Sequence, residues 1–155
     1  MRILLSSFLS DEGLTSQIEL TDGTLTEPPI DTETAQSIRA IITKNGYTVR
    51  FGSEPDVAVR TPEGRLVGTI EVKYGSDPAG ALERYGAAKK SFEEAVRENA
   101  RVQNVYLANA ITGEVRRRIN ADRLVSDIFE FGRLATEGSE RQRLVAFIKH
   151  RMLEM

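Results

Sequence analysis

The stretch from Pro55 to Lys73, P-D-V-A-V-R-T-P-E-G-R-L-V-G-T-I-E-V-K, constrains the fold more than any other in the chain. Val57 to Arg60 and Leu66 to Lys73 are β-rich runs, and Thr61 to Gly64 between them holds Pro62 and Gly64, the residues that punctuate a hairpin. Side chains alternate across a strand, so Glu71 and Lys73 project to one face while Ile70 and Val72 project to the other. Asp56 opens the first strand, and closing the hairpin carries it back towards Glu71. The expected product is two carboxylates and an amine held together.

That triad has the composition that metal-dependent phosphodiester hydrolysis requires. Mg²⁺ takes hard oxygen ligands, is held through one or two carboxylates and keeps several waters. Asp56 and Glu71 are the candidate metal-binding and catalytic acids, with the Val72 backbone carbonyl as a third ligand and Mn²⁺ as a substitute ion. Such an ion polarises a phosphoryl oxygen and eases ionisation of a bound water. Lys73 is the candidate that orients the attacking water or the phosphate; whether it acts as a base turns on its burial and on the metal. The plainer alternative is a surface hairpin with a cross-strand salt bridge, since an acid followed by E-x-K arises often by chance.

The residues that follow favour the chemical reading. Tyr74 to Phe92 reads Y-G-S-D-P-A-G-A-L-E-R-Y-G-A-A-K-K-S-F. Here the chain resembles the PD-(D/E)xK nuclease superfamily, and within it the XcyI-type restriction endonucleases. The likeness is closest from Glu71 to Phe92 and continues more loosely through Val102 to Val115, with the first fifty or so residues outside it. The resemblance implies that Asp56, Glu71 and Lys73 occupy the metal-binding and catalytic positions of that family.

Composition sets the outer bounds. With 155 residues, 40% hydrophobic and 28% charged, the chain suits one soluble domain, taken as residues 1–155. Cysteine is absent, so disulfides and thiolate metal sites are excluded, in keeping with a cytoplasmic location. The apolar run at Met1 to Ser10 is too short for a membrane span. A net charge of −2 argues against bulk electrostatic coating of nucleic acid but not against local phosphate contacts. The single histidine, His150, rules out a histidine-rich metal centre and reads as a cation near the end of a last helix.

In chain order, Ile3 to Leu9 and Gln17 to Leu25 read as β-runs, the second turning at Asp22-Gly23. Asp31 is expected to cap a helix reaching about Asn45, with Ala35, Ile38, Ile41 and Ile42 on one face and Gly46 as its stop. Glu33 lies in its first turn, a favourable place for a carboxylate and a weak candidate for the metal site. Tyr47 to Phe51 reads as a strand. Asp77 and Pro78 are expected to start a long helix to about Asn99, in which Lys89 interrupts an apolar stripe of Leu82, Tyr85, Phe92 and Val96. That lysine must snorkel or find an anion, the scissile phosphate being the sharper option. Val102 to Ala108 reads as a buried strand, parallel to Leu66–Lys73 across a right-handed crossover. Val125 to Phe131 reads as an edge strand, and Ser139 as the cap of a final helix from Glu140 to about Leu153.

The expected fold is therefore α/β, a restriction-endonuclease-like mixed sheet flanked by helices. The expected function is that of a metal-dependent endonuclease on double-stranded DNA, of the type II restriction kind, whose family leaves 5′-phosphate and 3′-hydroxyl ends. Cutting both strands calls for two sites, hence a homodimer, and the resemblance implies a G·C-rich palindrome. Arg84, Arg116, Arg117, Arg118 and Arg123 are then the arginines to consider for DNA contact, beside Lys89. The basic triplet reads equally as a solvated face. A structure-selective or nicking nuclease of repair and recombination, and a non-catalytic DNA-binding subunit of the same fold, are the alternatives.

Overall fold

The structure is a computed structural model that describes residues 1–155. Its chain order is α1 (Arg2–Asp11), β1 (Thr15–Leu20), β2 (Leu25–Thr26), α2 (Thr32–Gln36), β3 (Ile38–Thr43), β4 (Thr48–Phe51), β5 (Val57–Arg60) and β6 (Leu66–Lys73). Then follow α3 (Ala81–Glu98), β7 (Gln103–Ala108), α4 (Gly113–Asp122), β8 (Asp127–Glu130), α5 (Phe131–Thr136) and α6 (Gly138–Phe147), with a π-helical turn at Ile148–Met152. All eight strands join one mixed sheet in the order β2-β1-β3-β4-β5-β6-β7-β8. Pairing is antiparallel up to β6, then parallel through β7 and β8. The α/β architecture with helices on both faces is as expected.

The hairpin forms over the expected residues. β5 and β6 pair with Val57 opposite Ile70 and Ala58 opposite Thr69. The even-numbered side chains Ile70 and Val72 enter the larger core cluster, together with Leu5, Ile18, Val57 and Leu107. The odd-numbered side of the same strand faces α3, where Tyr85, Phe92 and Tyr106 form a second cluster. Each of these fully buried large side chains contributes about 1.5–3 kcal/mol by leaving water. β6 therefore has apolar packing on both faces, and Glu71 lies inside one of them, 2% exposed.

Four local expectations are corrected. Ile3 to Leu9 lies in helix α1, because Leu5 and Leu9, four apart, bury on one helical face; a short apolar run does not by itself distinguish strand from helix. Asp31 does cap a helix, its carboxylate accepting from the Thr34 amide at 2.7 Å, but the helix ends at Gln36. Ile38 to Thr43 becomes β3 instead, where the β-branched side chains pair against β1 and β4. Gly46, at φ 82°, turns the β3–β4 hairpin and does not stop a helix. Downstream, Asp77 caps the turn before α3, accepting from the Ala79 and Gly80 amides, and Ser139 lies within α6, whose flanking residue Glu137 makes no capping bond. β8 is shorter than the stretch predicted for it but takes the edge position expected.

The carboxyl-terminal segment locks onto the sheet. The Asn45 amide donates to the Leu153 carbonyl at 2.8 Å and the Tyr47 hydroxyl to Glu154 at 2.9 Å. Met152, fully buried, lies over Gly68 of β6, where an added Cβ would meet its sulfur at 2.6 Å. Gly68→Ala should therefore overpack this joint and lower stability by about 1–3 kcal/mol. Combined with Met152→Ala, its effect should fall short of additive. Urea unfolding of the two single variants and the double variant measures both.

Candidate active site

The site lies where β5 stops short of β6. Val72 lies beyond the last β5–β6 pair, and its free N–H donates to Asp56 Oδ2 at 2.8 Å. In an extended strand the carbonyl of a residue points to the same side as its N–H, so the Val72 carbonyl faces the same gap beside Asp56. The Lys73 ammonium donates to Glu71 Oε2 at 2.8 Å and stands 3.9 Å from Asp56 Oδ2. The structure thus brings together Asp56, Glu71, Lys73 and the Val72 backbone, all of them foreseen from the hairpin.

The two acids differ in environment. Asp56 is about one-third exposed at its side chain and borders a cleft of about 430 Å³, with Arg2, Gln36, Gly52, Val72 and Tyr74 among its lining. Glu71 is buried, and its Oε1 has no hydrogen-bond partner. Burial pushes the Glu71 carboxyl above its ordinary range, against Lys73 and Ser91, which favour the ionised form; the Asp56 charge adds to the rise. Beside Glu71 in the parallel register stands Tyr106, whose hydroxyl is also buried without a partner. Burial raises that phenol to about 12. No third carboxylate or histidine joins the two acids.

The donor set fits a hard divalent cation. Two carboxylates that share one lysine supply the hard oxygens such an ion takes, and Glu71 Oε1 is a buried oxygen without a hydrogen-bond partner. Asp56, Glu71 and the Val72 carbonyl are the oxygens available to hold it.

The other predicted residues are dispersed. Glu33 is exposed on α2 and is not part of the cleft lining; Gln36, three residues on, is. Lys89 finds an anion within the protein, donating to Asp122 at 3.0 Å, where Tyr85 also donates at 3.2 Å. Burial opposes the charge on Asp122, yet the hydrogen bonds from Lys89 and Tyr85 prevail and hold its carboxyl below the usual range. Arg118 pairs with the same Asp122 at 3.3 Å, and Arg116 pairs with Glu130. Arg117 is exposed on α4, and Arg123 caps that helix in the left-handed conformation at φ 54°. Arg84 lies against the loop after β6 and donates to the Asp77 carbonyl. Gln36, Tyr74, Ser91 and Tyr106 were missed: each is an ordinary residue type, distinguished only by which strand or helix lies next to β6.

A model of the XcyI restriction endonuclease family matches residues 23–103, just over half of the chain. The chain belongs to that family. The matched segment contains all of the β5–β6 hairpin and α3, so the three site residues fall inside it. It begins well before the expected start of the likeness and stops at Gln103, so Asn104 to Val115 are not part of it. A comparison with curated proteins finds no match. Family membership implies a DNA nuclease of the restriction type. No helix of the structure is long and apolar enough to cross a membrane.

Glu71 gives a pH signature. Its folded-state pKa is raised, so the neutral acid is favoured on folding; the resulting stability is full below the unfolded value near 4.5 and is lost as pH rises through the folded value. In metal-free buffer, the wild type should lose stability relative to Glu71→Gln across that window. Thermal melts of both proteins from pH 4 to 8 give the difference curve, and a flat difference would contradict the burial argument.

Proposed function

We propose that this chain is a Mg²⁺-dependent type II endonuclease that hydrolyses phosphodiester bonds in double-stranded DNA, with Asp56, Glu71 and Lys73 as its active site. The observation that carries the reading is the close group of two carboxylates and one ammonium at the open end of β6, inside the segment matched by the restriction endonuclease family.

Asp56 and Glu71, with the Val72 carbonyl, would hold the cation. When bound, it supplies Lewis acidity at the phosphoryl oxygen and a lowered pKa for water. The Val72 N–H fixes the orientation of Asp56. Lys73 already bridges both acids and so stands where it can hydrogen-bond an attacking water or a non-bridging phosphate oxygen. Water attacks phosphorus, the bond to the 3′ oxygen breaks, and that oxygen acquires a proton, leaving 5′-phosphate and 3′-hydroxyl ends. One chain carries one such site, and a double-strand cut uses two copies related by a two-fold axis, which matches a palindromic target.

Supercoiled plasmid incubated with the protein and Mg²⁺ should yield discrete linear fragments. Asp56→Ala and Lys73→Ala should each reduce the rate at least about a hundredfold, the scale set by a positioned proton-transfer group. Agarose electrophoresis over time reads the result. Nicked circles or a smear would replace this reading with a nicking or structure-selective nuclease, and folded wild-type protein that cuts in neither Mg²⁺ nor Mn²⁺ would leave a DNA-binding subunit.

A further inference from the structure

Two glycines in the loop and turn between β6 and α3 are occupied from outside by one arginine. A Cβ on Gly75 would lie 2.7 Å from Arg84 Nη1 and 2.9 Å from its Nε, and a Cβ on Gly80 would lie 2.6 Å from the same Nη1. Neither glycine uses its backbone freedom: Gly80 has φ −87°, open to any residue, and Gly75 is outside the positive-φ set. What these positions supply is room. The guanidinium sits in a cradle made by two missing side chains, and its hydrogen bond there goes to the Asp77 carbonyl.

The placement connects Arg84 to the site. Gly75 follows Lys73 by two residues, at most about 7 Å along the chain. Arg84 also acts electrostatically on the Tyr106 hydroxyl, the neighbour of Glu71 on β7. Of the other cations considered for DNA contact near α3 and α4, three are spent, Lys89 and Arg118 on Asp122 and Arg116 on Glu130, while Arg117 and Arg123 make no ion pair and lack a cradle of this kind. The Asp77 carboxylate is committed to the Ala79 and Gly80 amides, so it neither pairs with Arg84 nor leaves those amides open to an anion. The two carboxylates and Lys73 are engaged with one another and with the proposed cation, so a backbone phosphate beside the scissile one needs a cation of its own.

We infer that Arg84 is a preorganised phosphate-binding residue: its guanidinium, seated between Gly75 and Gly80, takes a DNA backbone phosphate beside the scissile one. The inference rests on the nuclease reading above and adds to it the means by which the substrate backbone is held. A planar fork with little freedom left to lose suits a tetrahedral anion, and an unpaired guanidinium has no internal carboxylate to give up.

The test is fluorescence anisotropy with a labelled DNA duplex of mixed sequence, in Ca²⁺ in place of Mg²⁺, across a series of KCl concentrations. Arg84→Ala should weaken binding about tenfold and lower the slope of log affinity against log salt by about 1, the loss of one phosphate contact. Arg84→Lys should keep the slope while recovering only part of the affinity. Gly75→Ala retains the arginine but fills its cradle and should weaken binding in the same direction, and the Gly75→Ala/Arg84→Ala double variant should be no weaker than Arg84→Ala alone. Unchanged slope and affinity in Arg84→Ala, with melting temperature equal to the parent, overturns the inference, as do losses that add in the double variant. A wild type that binds the duplex but never cuts it defeats the nuclease reading while the salt slope still decides Arg84. A wild type that binds no duplex defeats both.

Discussion

A buried carboxylate is the constraint on which the remainder of the site depends. Glu71 sits in the middle of the sheet, packed under α3, with one oxygen on Lys73 and the other on nothing. A charge in that position is costly unless it is paired and hydrogen-bonded. Lys73 meets part of the demand. The same burial strengthens the attraction between Glu71 and Lys73, because attraction between charges rises as water is excluded. Sites of this kind exchange stability for function.

The architecture produces the gap beside Asp56 at the end of β6. β5 is shorter than the strand it pairs with, so β6 runs on with its Val72 amide unpaired on that side, and Asp56 takes the bond that a longer β5 would have taken. On its other side β6 remains fully paired with β7 up to Lys73. The result is a rigid strand that is half open at one end. A backbone held by pairing on one edge and exposed on the other can orient side chains closely and still admit a ligand.

Elsewhere the charges are largely balanced internally. Asp122 collects Lys89, Arg118 and the Tyr85 hydroxyl, tying α3 to α4. At the sheet edge Arg143 bonds Glu140 and Asp127 and lies over the Phe129 ring at 3.9 Å, joining α6 to β8. These partly buried networks fix the helices against the sheet, and they remove from the pool of DNA contacts several side chains that a count of basic residues would have included. Arg84 differs because its partner is a carbonyl oxygen and its seat is a pair of glycines.

The hairpin and the convergence of Asp56, Glu71 and Lys73 were legible because every signal involved is local. The turn residues, the alternation of β6 and the offset of Asp56 all operate within one supersecondary unit, as does the parallel placement of β7 after a long helix. The amino-terminal quarter was misread where local pattern is ambiguous: Ile38, Ile41 and Ile42 suit a helical face by spacing and a strand by branching, and pairing with β1 and β4 decided for the strand. The fate of Lys89 was undetermined for a related reason, since its anion arrives from a residue more than thirty positions away. Sequence alone thus determined that one hairpin brings Asp56, Glu71 and Lys73 together. Tertiary structure decided which oxygen is left without a partner, which basic side chains are neutralised and that the Arg84 guanidinium sits between Gly75 and Gly80, because burial and charge pairing are set by the neighbours that folding supplies.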